Sequence, residues 1–240
     1  MKDIIIKIHD LSKSFLVGNQ KVPVLKGINF EIKADDFLII FGPSGCGKST
    51  LLHTILGLED PSSGYISYMG KDIYEKAMER PTSEDERSDF RKENIGMVYQ
   101  QANWIKSLNV LENVAFPLML IGIKKEEREK KAREILTDVG MINWANYLPM
   151  QLSSGQQQKV SLGRALISNP RIIIADEPTG NLDFDSGQEL MKLLTKLNKE
   201  MKKTIVMVTH DLEYLKFAKT TVKMFDGKIT EIVKQKEFVK

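Results

Sequence analysis

Gly42-Pro43-Ser44-Gly45-Cys46-Gly47-Lys48-Ser49 is the stretch that decides the fold, because it fits the pattern GxxxxGK[ST] in the context that pattern requires. Before it, Phe37 to Phe41 is a short, wholly apolar run of the kind a doubly covered strand needs. After it, Ser49 to Leu58 carries the apolar spacing of a helix up to Gly57. Strand, glycine loop and helix together make a phosphate cradle. Glycines let the loop wrap an anion with its N–H groups inward, and the helix start adds partial positive charge. Lys48 can reach β- and γ-phosphates, and the Ser49 hydroxyl, next to Thr50, can ligate Mg²⁺. Cys46 reads as a small residue that fits the loop rather than as a reactive thiol.

Working outward, Ile4 to His9 and the alternating Ile28, Phe30 and Ile32 read as antiparallel β structure ahead of the loop. Glu75 to Asn94, dense in charge and containing Pro81, reads as a solvated connection with some helix and no chemistry. From Ala102 to about Ile167 the pattern is helical, with Ala132, Ile135, Leu136 and Val139 on one face. Arg171 to Ala175 and Thr204 to Val208 are further apolar runs, separated by a helix marked by Leu190, Leu194, Leu197 and Met201. Strand and helix in alternation predict a parallel sheet. Val222 to Phe225 and Ile229 to Val233 flank Asp226-Gly227, a hairpin turn.

At 240 residues and 42% apolar composition the chain can bury a large core. A net charge of +3, from 35 basic and 32 acidic residues, is too small and too interspersed for a nucleic-acid footprint. One cysteine excludes an internal disulfide framework and CxxC zinc sites, and fits a reducing compartment. Lys2 and Asp3 precede an apolar run that stops at Lys7, so no signal peptide is expected. Val114 to Ile123, interrupted by Pro117 and Gly122, is too short to span a bilayer.

Ile172 to Ala175 delivers Asp176 and Glu177 to the end of a buried strand. On its own such a pair could equally cap a helix. Beside a phosphate loop, Asp176 would hold the Mg²⁺ shell and Glu177 would take the proton of the attacking water. His210 follows the Thr204 to Thr209 strand and is expected at the γ-phosphate. His9 and His53 have no such context.

Phosphate loops and carboxylate pairs also occur in kinases and helicases; Leu152-Ser153-Ser154-Gly155-Gln156 separates them, because it resembles the signature sequence of ABC ATPases. With Gln100, Asn181-Leu182-Asp183 and His210 in order, the resemblance covers essentially the whole chain. The run Gln156-Gln157-Gln158 and the sequence Ala175-Asp176-Glu177-Pro178-Thr179-Gly180-Asn181-Leu182-Asp183 are most similar to those of lipoprotein-releasing, macrolide-efflux, antimicrobial-peptide-resistance and cell-division cassettes.

The resemblance implies one ABC ATPase domain: an α/β P-loop core (1–101 and 168–240) with an N-terminal antiparallel β subdomain and an inserted helical subdomain (about 102–167). It implies that Phe15 stacks on adenine and that Gln100 touches Mg²⁺ and the water. Asp183 would communicate across a dimer, and Ser153, Gly155 and Gln156 would act on the ATP of the other chain. Ser154 stands where the family usually has glycine. The implied role is ATP hydrolysis coupled to a separate membrane permease, for transport or transmembrane mechanical work, on the cytoplasmic face of the membrane. The implied docking surface is the segment after Gln100, including Asn103, Trp104 and Leu108. The rivals are an ABC ATPase acting on DNA or ribosomes, and a metabolite kinase.

Overall fold

Three strands are apolar on both faces, and both faces are covered. These are β3 (Phe37–Phe41), β7 (Ile172–Asp176) and β8 (Thr204–Thr209). In the computed structural model, which describes residues 3–72 and 83–235, they lie at the centre of a six-stranded sheet. Its order is β10 (Lys228–Lys234), β9 (Thr220–Phe225), β3, β8, β7, β6 (Ile95–Val98), and every pairing is parallel except that of β10 with β9. Because side chains alternate across a strand, each strand feeds two cores. Phe37, Ile39, Ile173, Ala175, Ile205 and Met207 face one, Leu38, Ile40, Ile172, Ile174, Val206 and Val208 the other.

The second core is closed by α1 (Lys48–Ile55) and by an antiparallel sheet ordered β2 (Gln20–Lys33), β1 (Ile4–Val17), β4 (Ser63–Tyr68), β5 (Lys71–Asp72). The opening strand runs well past His9, where the sequence reading stopped. Asp10 sits at φ 45 with its N–H on Asn29 Oδ1 (2.9 Å), and the register with β2 slips between Ile8 and Leu11. This bulge absorbs the residue that breaks the alternation, so the strand continues.

The first core is closed by α3 (Val110–Leu120), α4 (Lys125–Asp138), α5 (Ser154–Leu166) and α6 (Phe184–Glu200). On α4, Ala132 and Leu136 are buried, as the spacing predicts. Asn113, fully buried, pins the irregular segment before α3 by donating to the carbonyls of Ile105, Leu108 and Asn109. Of the charged stretch, Glu75 to Thr82, with Pro81, lies outside the described residues, as does Lys2. The remainder is a helix, α2 (Glu84–Asn94), with a capping box between Ser83 and Glu86 and Phe90 packed on Tyr68. No described helix is long and apolar enough to cross a membrane.

Candidate active site

Register does the assembling. Phe41 pairs with Thr209, Asp176 with Val208 and Ala175 with Val98. The residues that follow β3, β6, β7 and β8 therefore emerge along one sheet edge: the phosphate loop, Gln100, Glu177 and His210.

The loop tip, Pro43-Ser44-Gly45, is exposed, whereas Cys46, Gly47 and Lys48 are buried. Gly47 caps α1 at φ 104, a conformation that only glycine takes readily. No side chain caps this helix and no acid stands in its first turn, so its leading N–H groups have no built-in acceptor. Cys46 packs into the core; its N–H donates to Pro43 O (3.3 Å) and its carbonyl accepts Gly227 N–H (3.0 Å). Lys48, 5% exposed, donates to Gly42 O (2.9 Å) and Pro43 O (3.1 Å) and has no ion-pair partner among the described residues. A buried ammonium inside a ring of N–H donors fits a polyanion.

Ser49 Oγ donates to Asp176 Oδ1 (3.3 Å). Burial pushes the Asp176 carboxyl above the usual carboxylate range, against the pull of nearby His53, Ser49 and Lys48. A buried carboxylate whose desolvation outweighs the pull of its neighbours fits a divalent cation that would offset that cost. No cluster of three or more His, Cys, Asp or Glu exists among the described residues, so a cation here would draw most of its oxygens from phosphate and water. His53, set aside in the sequence, is thus a charge neighbour of this site, one helical turn beyond Ser49 on α1.

Glu177 takes φ 43, a conformation that costs a non-glycine residue about 1–3 kcal/mol and persists only where neighbours enforce it. They do: its N–H bonds Val208 O (3.1 Å) and its carbonyl accepts Gly180 N–H (3.0 Å). Its Oε2 lies 3.1 Å from His210 Nδ1. With Glu177 ionised, Nδ1 carries the proton that bridges them. The amide of Gln100, rather than that of Gln101, lies over Gly180, where a Cβ would meet Gln100 Nε2 at 2.8 Å.

Other expected residues stand apart. Phe15, on β1, is half-buried with Lys13 Nζ 4.8 Å from its ring centroid. Asp183 caps α6, accepting Ser186 N–H (2.9 Å) and Oγ–H (2.8 Å); these bonds hold its carboxyl below the usual range. Ser153 caps α5, with Gln156 closing the box, and shares no hydrogen bond with the phosphate loop among the described residues. Gly155 lies against α6, where a Cβ would come within 2.7 Å of Ser186 Oγ. Ser154 is exposed and absent from the positive-φ residues, so its Cβ meets no backbone penalty.

Around this geometry the comparisons converge. The pattern described as "ABC transporter" matches residues 25–180. An ABC transporter ATP-binding protein of Methanocaldococcus jannaschii is 44% identical over 95% of this chain and 99% of its own length. The lipoprotein-releasing system ATP-binding protein LolD of Idiomarina loihiensis is 38% identical over 89% of this chain and 91% of its own. Among solved structures, the ATP-binding cassette MJ0796, also of M. jannaschii, is a dimer in a post-hydrolysis state bound to ADP and Pi. It superposes with a TM-score of 0.85 at 38% identity, over 98% of this chain and 100% of that one. The chain belongs to the ABC transporter ATP-binding family, and the LolD relative falls in the subfamily expected from the glutamine run.

Proposed function

We propose that the chain is the ATP-binding and ATP-hydrolysing subunit of a transporter or transmembrane mechanotransmission complex, working as a nucleotide-sandwich dimer on the cytoplasmic face of a membrane. One observation carries this reading. The strand register lines up the phosphate loop, Gln100, Asp176, Glu177 and His210, while Ser153 and Gly155 ride on α5 without a bond to that loop.

Lys48 and the backbone N–H groups from Ser44 to Thr50 grip the phosphates, and Phe15 offers its ring to adenine. Ser49, Asp176 and Gln100 would hold Mg²⁺, which offsets charge on the β- and γ-oxygens. Glu177 accepts the proton of the attacking water, and His210 steadies that carboxylate and faces the γ-phosphate. ADP and phosphate leave. Ser153 and Gly155 of a second copy close the site. The Ser153 cap spends only an oxygen lone pair on Gln156 N–H, so its hydroxyl proton stays available to a γ-phosphate. Asp183 lies beside this seam.

Two substitutions test the seam. Ser154→Gly should change ATP turnover within about threefold, because the exposed Cβ touches nothing decisive. Ser153→Arg should stop it by placing a bulky cation where two copies meet. Equal, severe losses in steady-state phosphate release would mean that Ser154 makes the contact assigned to Ser153.

Trp104, the expected anchor for a permease, is partly committed within this chain. That ring is half-buried against the first core, donates Nε1–H to Gln157 Oε1 (3.1 Å) and carries the Arg164 guanidinium 4.8 Å from its centroid. A cavity of about 370 Å³ is open at Asn103 and Trp104, and a larger groove of about 940 Å³ is open between α4 and α6, with Ile121, Ile123, Ile135 and Met201 in its lining and lysines and acidic residues at its rim. An amphipathic cytoplasmic helix of a permease fits such a surface. Ile121 and Met201 are 53% and 50% exposed, so Ile121→Glu and Met201→Glu should spare folding and ATP binding. Both should abolish co-purification with the permease; retained co-purification would remove the groove from consideration.

A further inference from the structure

The glutamine run takes three different sets of partners. Gln156 Oε1 accepts Ser153 N–H (2.9 Å) and completes the cap of α5. Gln157 accepts Trp104 Nε1–H and donates to Leu152 O (3.1 Å). Gln158, 3% exposed, donates through Nε2 to Tyr99 O and to Pro178 O, each at 2.8 Å. Both partners are carbonyl oxygens, so the nitrogen end of the amide must face them and its two protons are both used.

Those carbonyls belong to the residues next to Gln100 and Glu177. A single buried side chain on α5, one turn from Gly155, is thus bonded to the two chain segments that carry the water-handling groups. Its companion ties are different in kind: the Lys159–Glu189 ion pair (2.6 Å) is partly exposed and worth little, Arg164 donates to Asn103 O (2.8 Å) and so reaches only the segment after Gln100, and the Gly155–Ser186 approach is contact alone. We propose that Gln158 is a positioning residue, a two-pronged brace that fixes the separation of Gln100 and Glu177 and carries movement of α5 to both. The inference rests on the reading of Gln100 and Glu177 given above. When Ser153 and Gly155 engage the nucleotide of the other copy, α5 shifts, and the Gln158 amide draws the Tyr99 and Pro178 carbonyls with it. Hydrolysis is thereby tied to closure, while nucleotide binding, which uses the loop after β3, is not.

The test compares Gln158→Met, close in volume but without donors, with the parent full-length chain in steady-state ATPase assays well below the melting temperature. The expected result is a kcat loss of about 10- to 100-fold, the scale on which small misplacements act. KM for ATP should stay within about twofold, as for an interaction realised only in the transition state. Combined with Gln100→Ala, the loss should be smaller than the product of the two single losses. Gln158→Asn, which keeps the amide but withdraws it by a methylene, should show the same split and serves if the Met variant does not fold. Parental kcat in either folded variant overturns the brace. So does a loss that multiplies fully with that of Gln100→Ala, or one shared equally by kcat and ATP affinity. Parental kcat in Gln100→Ala and Glu177→Gln alone would instead reject the site assignment on which the brace depends.

Discussion

The Glu177→Gln chain is expected to bind ATP as the parent does and to hydrolyse it about 100- to 10,000-fold more slowly, the usual contribution of a general base. Size and shape are preserved, and the Gln carbonyl oxygen can still accept from His210 Nδ1, so the strained turn at φ 43 keeps its bonds to Val208 and Gly180. What is lost is the ability to take a proton from water. With γ-phosphate retained, the contacts that Ser153 and Gly155 make across two copies persist, and the closed dimer accumulates. Light scattering at saturating MgATP should give twice the monomer mass. A monomer there would mean that closure needs the permease or that the sandwich does not form. Parental turnover would place the base elsewhere.

Lys48→Ala should weaken MgATP binding about 10- to 150-fold, corresponding to the roughly 1.5–3 kcal/mol of a charge-assisted hydrogen bond. The ammonium is 5% exposed and spends two donors on the Gly42 and Pro43 carbonyls, so it is already oriented within the loop before any phosphate arrives. Its removal leaves the α1 N–H groups in place, which is why residual affinity is expected rather than none. Titration calorimetry reads the change directly; unaltered affinity would separate Lys48 from the phosphates altogether.

What the sequence made legible was local. The phosphate loop, the acids after β7 and the histidine after β8 each follow an apolar run short enough to read as a buried strand, and parallel pairing then brings them to one edge. The long β1 was not legible, because Asp10 looks like an end when it is a bulge held by Asn29, a residue of another strand. The α2 helix was legible only as some helix within a solvated connection, because its charge leaves no apolar face to read, although Ser83 and Glu86 stand at capping-box spacing. Gln158 could be named as part of a run but not distinguished from its neighbours. Its role depends on carbonyls at Tyr99 and Pro178, and only the packing of α5 on the sheet brings those within reach.

The phosphate loop owes its shape to chain far from it. Gly227, in the turn between β9 and β10, donates its N–H to Cys46 O and accepts Lys26 N–H (2.9 Å), and β3 itself is flanked on both sides by strands from the last quarter of the chain, β8 and β9. Emerging from a ribosome, the first half of this protein would carry the complete nucleotide motif without the walls that hold it. The cradle can set only when residues near 227 have been made, so the nascent chain remains blind to ATP until that turn has emerged and docked.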